Sequence, residues 1–252
     1  MYRIIQLSDC HLYADLNKVG YGGINPYESL QALLSIVQKK RPDMLVLTGD
    51  LSNDNTEQSY QHLLDLLSPI LNASDIQVRA IPGNHDQTEF LYQCFACPPE
   101  YEDIQGWRLH YLNSQHEGTL GYVSAARLQR LKNDIVNSPR QQQLVFVHHH
   151  PINTNSWLDK HEWLNREDFL QVLNYLTMPV KVLHGHIHAE RETEYLAHSV
   201  YACPSTCWQW QLTPEFGINT LRSGFRVVEL GANTYWHSYV ERLPQSTIIK
   251  KQ

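Results

Sequence analysis

The chain has 252 residues, 42% of them apolar, and its 20 Lys and Arg against 26 Asp and Glu give a formal charge of −6. That composition lies in the range of soluble globular proteins and lacks the basic excess needed to neutralise a run of phosphates, which disfavours a nucleic-acid backbone binder. Fourteen histidines form a surplus that needs explaining, because histidine is the commonest metal ligand among side chains.

Arg3 to Leu7 is a short apolar run, read as a strand. Asn25-Pro26-Tyr27-Glu28 has the form of a helix start, and Leu30, Leu33, Leu34 and Val37 then line one helix face. Met44 to Leu47 is a second strand, followed by a helix marked by Tyr60, Leu63, Leu64, Leu67 and Leu71. Ile76 to Ile81 is a third strand, stopped by Pro82-Gly83. Beyond residue 100, Trp107 to Leu112 and Thr119 to Val123 read as strands, and Ser124 caps a helix bearing Leu128, Leu131 and Ile135. Leu144 to Val147 is a strand, Glu167 to Leu176 a helix, and Val180 to Leu183 a strand. Phe225 to Leu230 and Tyr235 to Val240 form a hairpin around Gly231-Ala232-Asn233. Strands alternating with helices predict an α/β fold of two packed sheets flanked by helices. A single domain over residues 1–242 is expected, with a polar, loose tail over 243–252.

The N-terminal segment shows no secretory signal, and runs such as Met44 to Leu47 are far too short to span a bilayer. Five sparse cysteines suit a reducing cytoplasm. Cys94-X-X-Cys97 and Cys203-X3-Cys207 have spacings open to a zinc knot or a redox pair, with packed, reduced thiols as the alternative.

In open α/β sheets ligands sit beyond the carboxyl ends of the strands. There the sequence places Asp9 and His11, then Asp50, then Asn84, His85 and Asp86, then His148, then His186 and His188. In extended backbone, side chains two apart point the same way, so Asp9 with His11 and His186 with His188 form two pincers. Seven of these as candidate ligands (Asp9, His11, Asp50, Asn84, His148, His186 and His188) exceed one tetrahedral zinc and suit two metals sharing one carboxylate, for which Asp50 is the natural bridge. Imidazoles and carboxylates without cysteine favour Zn, Fe, Mn or Ni over an all-oxygen Mg or Ca site.

The blocks Asp9-Cys10-His11, Gly49-Asp50-Leu51-Ser52-Asn53-Asp54, Gly83-Asn84-His85-Asp86, His148-His149-His150-Pro151 and Gly185-His186-Ile187-His188 resemble the calcineurin-like metallophosphoesterases. More narrowly, Val147 to Asp159 and Pro204-Ser205-Thr206-Cys207 are similar to the bacterial class III 3′,5′-cyclic AMP phosphodiesterases. The resemblance implies a four-layer α/β-β/α sandwich of two mixed sheets. It implies one metal held by Asp9, His11, Asp50 and His188, and a second by Asp50, Asn84, His148 and His186. The choice of His148 over His149 or His150 rests on the family pattern alone. His85 becomes the catalytic histidine at the leaving oxygen, with Asp86 orienting it. His11, Asp50, Asn84, His85, His148 and His188 are the expected substrate contacts. Cys10 departs from the smaller or hydroxylic residue usual between the first two ligands, leaving them intact but adding a site for oxidation.

The implied reaction converts 3′,5′-cyclic AMP to 5′-AMP: two divalent or mixed-valence cations lower the pKa of a water, and the hydroxide attacks phosphorus in line while His85 protonates the departing ribose oxygen. The expected partner is a small cyclic nucleotide, not nucleic acid or membrane. Trp157, Trp163, Trp208 and Trp210 flank the site in sequence and offer rings to stack on a purine, the alternative being core packing. Rival readings are a glycerophosphodiester or 2′,3′-cyclic nucleotide phosphodiesterase, a nuclease, and a non-catalytic scaffold. Lipid-precursor diphosphatases of this superfamily usually carry arginine where this chain has His85, and its scaffold members lose ligands that are all present here.

Overall fold

The structure, a computed structural model, describes residues 1–73 and 75–245. Its strands are β1 (Tyr2–Leu7), β2 (Met44–Thr48), β3 (Gln77–Ile81), β4 (Tyr101–Ile104), β5 (Trp107–Leu112), β6 (Gln142–Val147), β7 (Val180–His184), β8 (Arg191–Tyr195), β9 (His198–Ala202), β10 (Gln209–Trp210), β11 (Ile218–Asn219), β12 (Gly224–Leu230) and β13 (Trp236–Arg242). Its helices are α1 (Pro26–Lys40), α2 (Glu57–Leu71), α3 (Thr88–Cys94), α4 (Ala125–Val136) and α5 (Arg166–Tyr175).

Two mixed sheets form, in the orders β13-β12-β1-β2-β3 and β4-β5-β6-β7-β9-β8, with β10 and β11 as a separate ribbon. Strands β1, β2 and β3 run parallel in the first sheet, as do β5, β6, β7 and β9 in the second. Strand alternation sets the layers. Ile4, Met44 and Val46 pack between the sheets against Leu144, Phe146 and Leu183. Their neighbours Ile5, Leu45 and Leu47 face α1 and α2, while Val145, Val147 and Val182 face α4 and α5. The result is the expected helix–sheet–sheet–helix sandwich.

In α1 the Asn25 carboxamide accepts from the Glu28 N–H, and Pro26 opens the helix. The cap contributes about 1 kcal/mol, whereas each of the buried Leu30, Leu33, Leu34 and Val37 gains about 1.5–3 kcal/mol, so packing dominates. Thr56 caps α2 and Ser124 caps α4. The buried face of α2 uses Leu66 and Ile70 along with Tyr60, Leu63 and Leu67; Leu64 and Leu71 lie at its margin.

Three expectations need correction. Thr119 to Val123 is a loop touching neighbours through isolated bridges from Gly121 to Gln115 and Trp163. Strands β4, β8 and β9 arise where no strand is predicted. The expected loose tail does not begin at 243: Leu243 is buried in the core beside Phe225 and its N–H donates to the Ser223 carbonyl, while residues 246–252 lie outside those described.

Candidate metal centre

All seven candidate ligands meet where the carboxyl ends of the two sheets adjoin. The pincers do not form by strand alternation as expected. Asp9, His11, Asp50, His186 and His188 have φ of 55°, 47°, 52°, 69° and 45°, in the left-handed region that non-glycine residues seldom occupy. Such a residue costs about 1–3 kcal/mol, so the turns need support. The Asp9 N–H donates to Gly49 O at 2.9 Å, that of His11 to Asp50 O at 2.9 Å, and that of Gly185 to His148 O at 3.1 Å. Gly83 and Gly185 permit close approaches: a Cβ at Gly83 would overlap the Asp50 carboxylate, and one at Gly185 the Ser8 hydroxyl.

Each imidazole is oriented from behind. His148 Nδ1 lies 2.7 Å from the Thr48 carbonyl, His188 Nδ1 3.0 Å from that of Trp208, and His186 Nε2 2.9 Å from that of His161. A carbonyl only accepts, so these nitrogens carry the proton and the other nitrogen of each ring presents a lone pair inward. His11 Nδ1 is held likewise by Asn53 Oδ1 at 3.0 Å. The inward nitrogens then crowd together, His11 Nε2 to His188 Nε2 at 3.0 Å and His186 Nδ1 to His148 Nε2 at 3.3 Å. Facing lone pairs repel unless a cation lies among them. Asp9 Oδ1 is 3.4 Å from His188 Nε2, Asp50 Oδ2 is 3.4 Å from His148 Nε2 and 3.8 Å from His11 Nε2, and Asn84 Oδ1 is 3.2 Å from His148 Nε2. This set of imidazole, carboxylate and amide donors, with Asp50 between the two halves, fits two divalent cations.

The field agrees. Burial alone would raise Asp50, but the His148 imidazole beside it holds its carboxyl well below the usual range. Burial would lower His148, yet Asp50 pushes it up to about 9. Burial and the neighbouring His188 pull His11 down to about 3. A cation is favoured around Asp50, whether proton or metal, and the two compete for the same nitrogens.

His85 faces the cavity beside His11, ring centroids 5.0 Å apart, and its backbone N–H donates to Asp50 Oδ1 at 2.8 Å. Asp86 does not orient that ring. Its carboxylate accepts from the N–H groups of Leu51 (3.0 Å), Ser52 (3.1 Å) and Gly83 (2.8 Å) and from the Tyr60 hydroxyl (3.0 Å). Asp86 therefore ties the Gly83–Asp86 turn to the loop following Asp50. Within the histidine triplet, His148 reaches Asp50 and Asn84. His149 Nδ1 pairs with Ser114 Oγ at 2.8 Å while its ring lies 4.6 Å from that of His186, and His150 Nε2 lies 3.3 Å from Asp159 Oδ1.

Beyond the metal edge opens a cavity of about 710 Å3 lined by His11, Asp50, Asn84, His85, His186 and His188, and by Trp157, Trp208 and Trp210. Trp163 is elsewhere, buried against Phe169 in the outer core of the second sheet, and does not line the cavity as expected. Sequence reasoning missed Asn53, the carbonyls behind the rings, and Tyr21 and Phe216 on the cavity wall. Carbonyls leave no trace in a sequence, and the aromatics stand in loops without periodicity. Cys10 is buried and its thiol is pushed up to about 12 by burial, which argues against the expected sensitivity to oxidation. All five cysteines are free, and among the described residues no cysteine joins a cluster of potential metal ligands.

The calcineurin-like phosphoesterase family matches residues 2–190. A 3′,5′-cyclic-nucleotide phosphodiesterase of Nostoc is 33% identical, covering 98% of this chain and 94% of the relative. The 3′,5′-cyclic adenosine monophosphate phosphodiesterase CpdA of Haemophilus influenzae is 31% identical over 97% of this chain and 91% of its own, and that of Escherichia coli 31% over 96% and 90%. Among solved structures, a dimetal phosphatase from Danio rerio superposes with a TM-score of 0.66 at 13% identity, covering 96% of this chain and 98% of that one. A purple acid phosphatase from yellow lupin seeds gives 0.64 at 12% identity, covering 95% and 53%. The structural likenesses speak for the fold alone. No helix among the described residues is long and apolar enough to cross a membrane.

Proposed function

The chain belongs to the calcineurin-like phosphoesterase family, and from that premise we propose that it hydrolyses 3′,5′-cyclic AMP to 5′-AMP at a centre of two divalent cations. The observation that carries the chemistry is the pair of facing lone pairs on His11 and His188, beside the carboxylates of Asp9 and Asp50. The cyclic nucleotide follows from the names of relatives matched along almost the whole chain.

Asp9, His11, Asp50 and His188 would hold one cation, and Asp50, Asn84, His148 and His186 the other. When bound, the cations supply Lewis acidity toward the phosphoryl oxygens and a water activated near neutral pH. The protein does the rest. Asn53 and the carbonyls of Thr48, His161 and Trp208 fix the imidazoles, so little reorganisation accompanies reaction. The phosphate would lie against the edge formed by His11, Asp50, Asn84, His85 and His188, which line the cavity; the expected contact from His148 is indirect, since that ring is wholly buried behind them. The His85 ring, facing the cavity, donates a proton to the ribose O3′ as its bond to phosphorus breaks. Asp86 keeps the turn carrying Asn84 and His85 in register with Asp50. A net charge of −6 repels a polyanion from the surface while the metal edge attracts one phosphodiester, so the partner is a small nucleotide and not a nucleic acid. Five sparse, free thiols favour a reducing cytoplasm as the compartment for this work.

The test is kcat/KM for 3′,5′-cyclic AMP, 2′,3′-cyclic AMP, bis-p-nitrophenyl phosphate and glycerophosphodiesters, on protein of known metal content. The proposal expects 3′,5′-cyclic AMP to lead and to yield 5′-AMP. A glycerophosphodiester or a 2′,3′-cyclic nucleotide leading the series would overturn it.

A further inference from the structure

Part of the cavity wall is made of aromatic rings that the hydrolytic centre does not use. Tyr21 stands on a tight turn between β1 and α1, Trp157 opens a short 3-10 turn after β6, and Trp210 and Phe216 come from the β10–β11 ribbon. The rings touch one another: Tyr21 to Trp210 at 4.9 Å between centroids, Trp157 to Phe216 at 5.0 Å, and Trp210 to Phe216 at 5.4 Å. The wall begins where the metal edge ends, because Trp210 stacks on His188 at 5.0 Å and 24°.

These segments are held in place. The Trp157 N–H donates to the Thr213 carbonyl at 3.0 Å and its indole N–H to that of Gln211 at 3.2 Å, fastening the turn to the ribbon. Gly20 lies so close to the Trp208 ring that a Cβ there would overlap it, which seats the neighbouring Tyr21. Yet Tyr21 remains 50% exposed and Phe216 53% exposed. Large apolar rings fixed at a cavity mouth leave surface in water that a flat apolar ligand would cover.

We propose that Tyr21, Trp157 and Phe216 receive the purine base of the nucleotide whose phosphate lies at the metal edge, and so set the preference for a nucleotide over a plain phosphodiester. The inference rests on the nucleotide reading above. A phosphate alone fills a small part of the 710 Å3 cavity, and a base has π-faces suited to such a wall. A quaternary ammonium headgroup, which also seeks aromatic rings, is less suited: among the described residues the only lining carboxylate is Asp50 at the metal edge, and Lys160 Nζ already sits 5.5 Å from the Trp157 ring.

The test compares binding of 5′-AMP with that of ribose 5-phosphate, by calorimetry on the metal-loaded protein. The unmodified protein is expected to favour 5′-AMP by roughly 5- to 100-fold, the effect of one base–aromatic stack. Tyr21→Ala combined with Phe216→Ala should bring the ratio to within about twofold and raise KM for cyclic AMP with kcat kept, while Tyr21→Phe with Phe216→Tyr retains the preference. Circular dichroism checks that both variants fold. Equal binding of the two phosphates by the unmodified protein, or a ratio unmoved in the double alanine variant, overturns the proposal. So does a double alanine variant that loses affinity for glycerophosphocholine alone, which would assign the wall to a cation. The binding ratio needs no turnover, so a protein that fails to hydrolyse cyclic AMP but keeps the ratio would refute the activity and leave the base site standing.

Discussion

His11 Nε2 and His188 Nε2 face one another at 3.0 Å although the Nδ1 of each ring is already committed, to Asn53 Oδ1 and to the Trp208 carbonyl. The arrangement brings together two lone pairs from residues 177 apart, which only a proton or a metal ion between them reconciles. A cation between them resolves it, and Asn53 fixes the tautomer that makes it possible. Asn53→Ala should therefore lower metal affinity about 10- to 100-fold while the fold persists, as removal of such supporting partners does elsewhere. Isothermal titration of metal into the apoprotein reads this, and unchanged affinity would mean that the His11 ring is held by other contacts.

Asp50 and His85 lie side by side and should behave oppositely. Asp50→Ala removes the carboxylate that approaches both His11 and His148, so the metal content of both positions should fall, and turnover with it. His85→Ala should keep the metals and lose about 10²–10³ in kcat, the size of one proton-transfer contribution. Elemental analysis with steady-state rates separates the two. A full metal complement in Asp50→Ala would refute the bridge, and equal loss of metal and rate in His85→Ala would make His85 a ligand.

Asp86 should matter chiefly to stability. Asp86→Ala strips the acceptor from three backbone N–H groups and the Tyr60 hydroxyl in a buried place. At about 1–3 kcal/mol per stranded donor, partly relieved by relaxation, a loss of about 3 kcal/mol follows, or roughly 6–12 °C in Tm for a chain of this size. Tyr60→Phe should cost about 1 kcal/mol. A fall in kcat at unchanged Tm would instead show that Asp86 acts on the His85 ring.

Much of this was legible in the sequence, and the exceptions have physical causes. Strands β1, β2, β6 and β7 are buried on both faces, so each prints an apolar run, and α1, α2 and α4 print a helical stripe. The edge strands β4 (Tyr-Glu-Asp-Ile) and β8 (Arg-Glu-Thr-Glu-Tyr) carry charge that deters further pairing, and so lack that signal. Thr119 to Val123 has strand-like residues, but Gly121 passes so close to His149 that a Cβ would contact its ring at 2.6 Å. At the site the ligand identities were readable from strand ends, whereas the left-handed turns presenting Asp9 and His11 were not, since nothing in Asp-Cys-His announces φ near +50°. Of the aromatic wall, Trp157 and Trp210 were legible beside the ligand blocks, whereas Tyr21 and Phe216 were not, because separate loops bring them in.

Acid should weaken the fold through a histidine outside the candidate metal centre. Burial pulls His110 down to about 4, with Gln143 Oε1 accepting from its Nε2 at 2.9 Å. The unfolded chain, with a histidine pKa near 6.5, binds this proton more readily, so the contribution is complete above pH 6.5 and is lost as pH falls through 6.5 toward 4. The integrated effect is about 3 kcal/mol. Against His110→Gln, the unmodified protein should lose that much extra stability between pH 7 and pH 4 in urea titrations, and parallel pH curves for the two would contradict the burial argument.

The central claim is that converging lone pairs and two buried carboxylates hold two cations that act together. Metal-free protein titrated with manganese or zinc, with bound metal counted and cyclic AMP hydrolysis followed in the same samples, tests it most directly. The account predicts saturation at two equivalents per chain, with turnover appearing as the second site fills and 5′-AMP as product. Full turnover at one equivalent, or without metal, would contradict it.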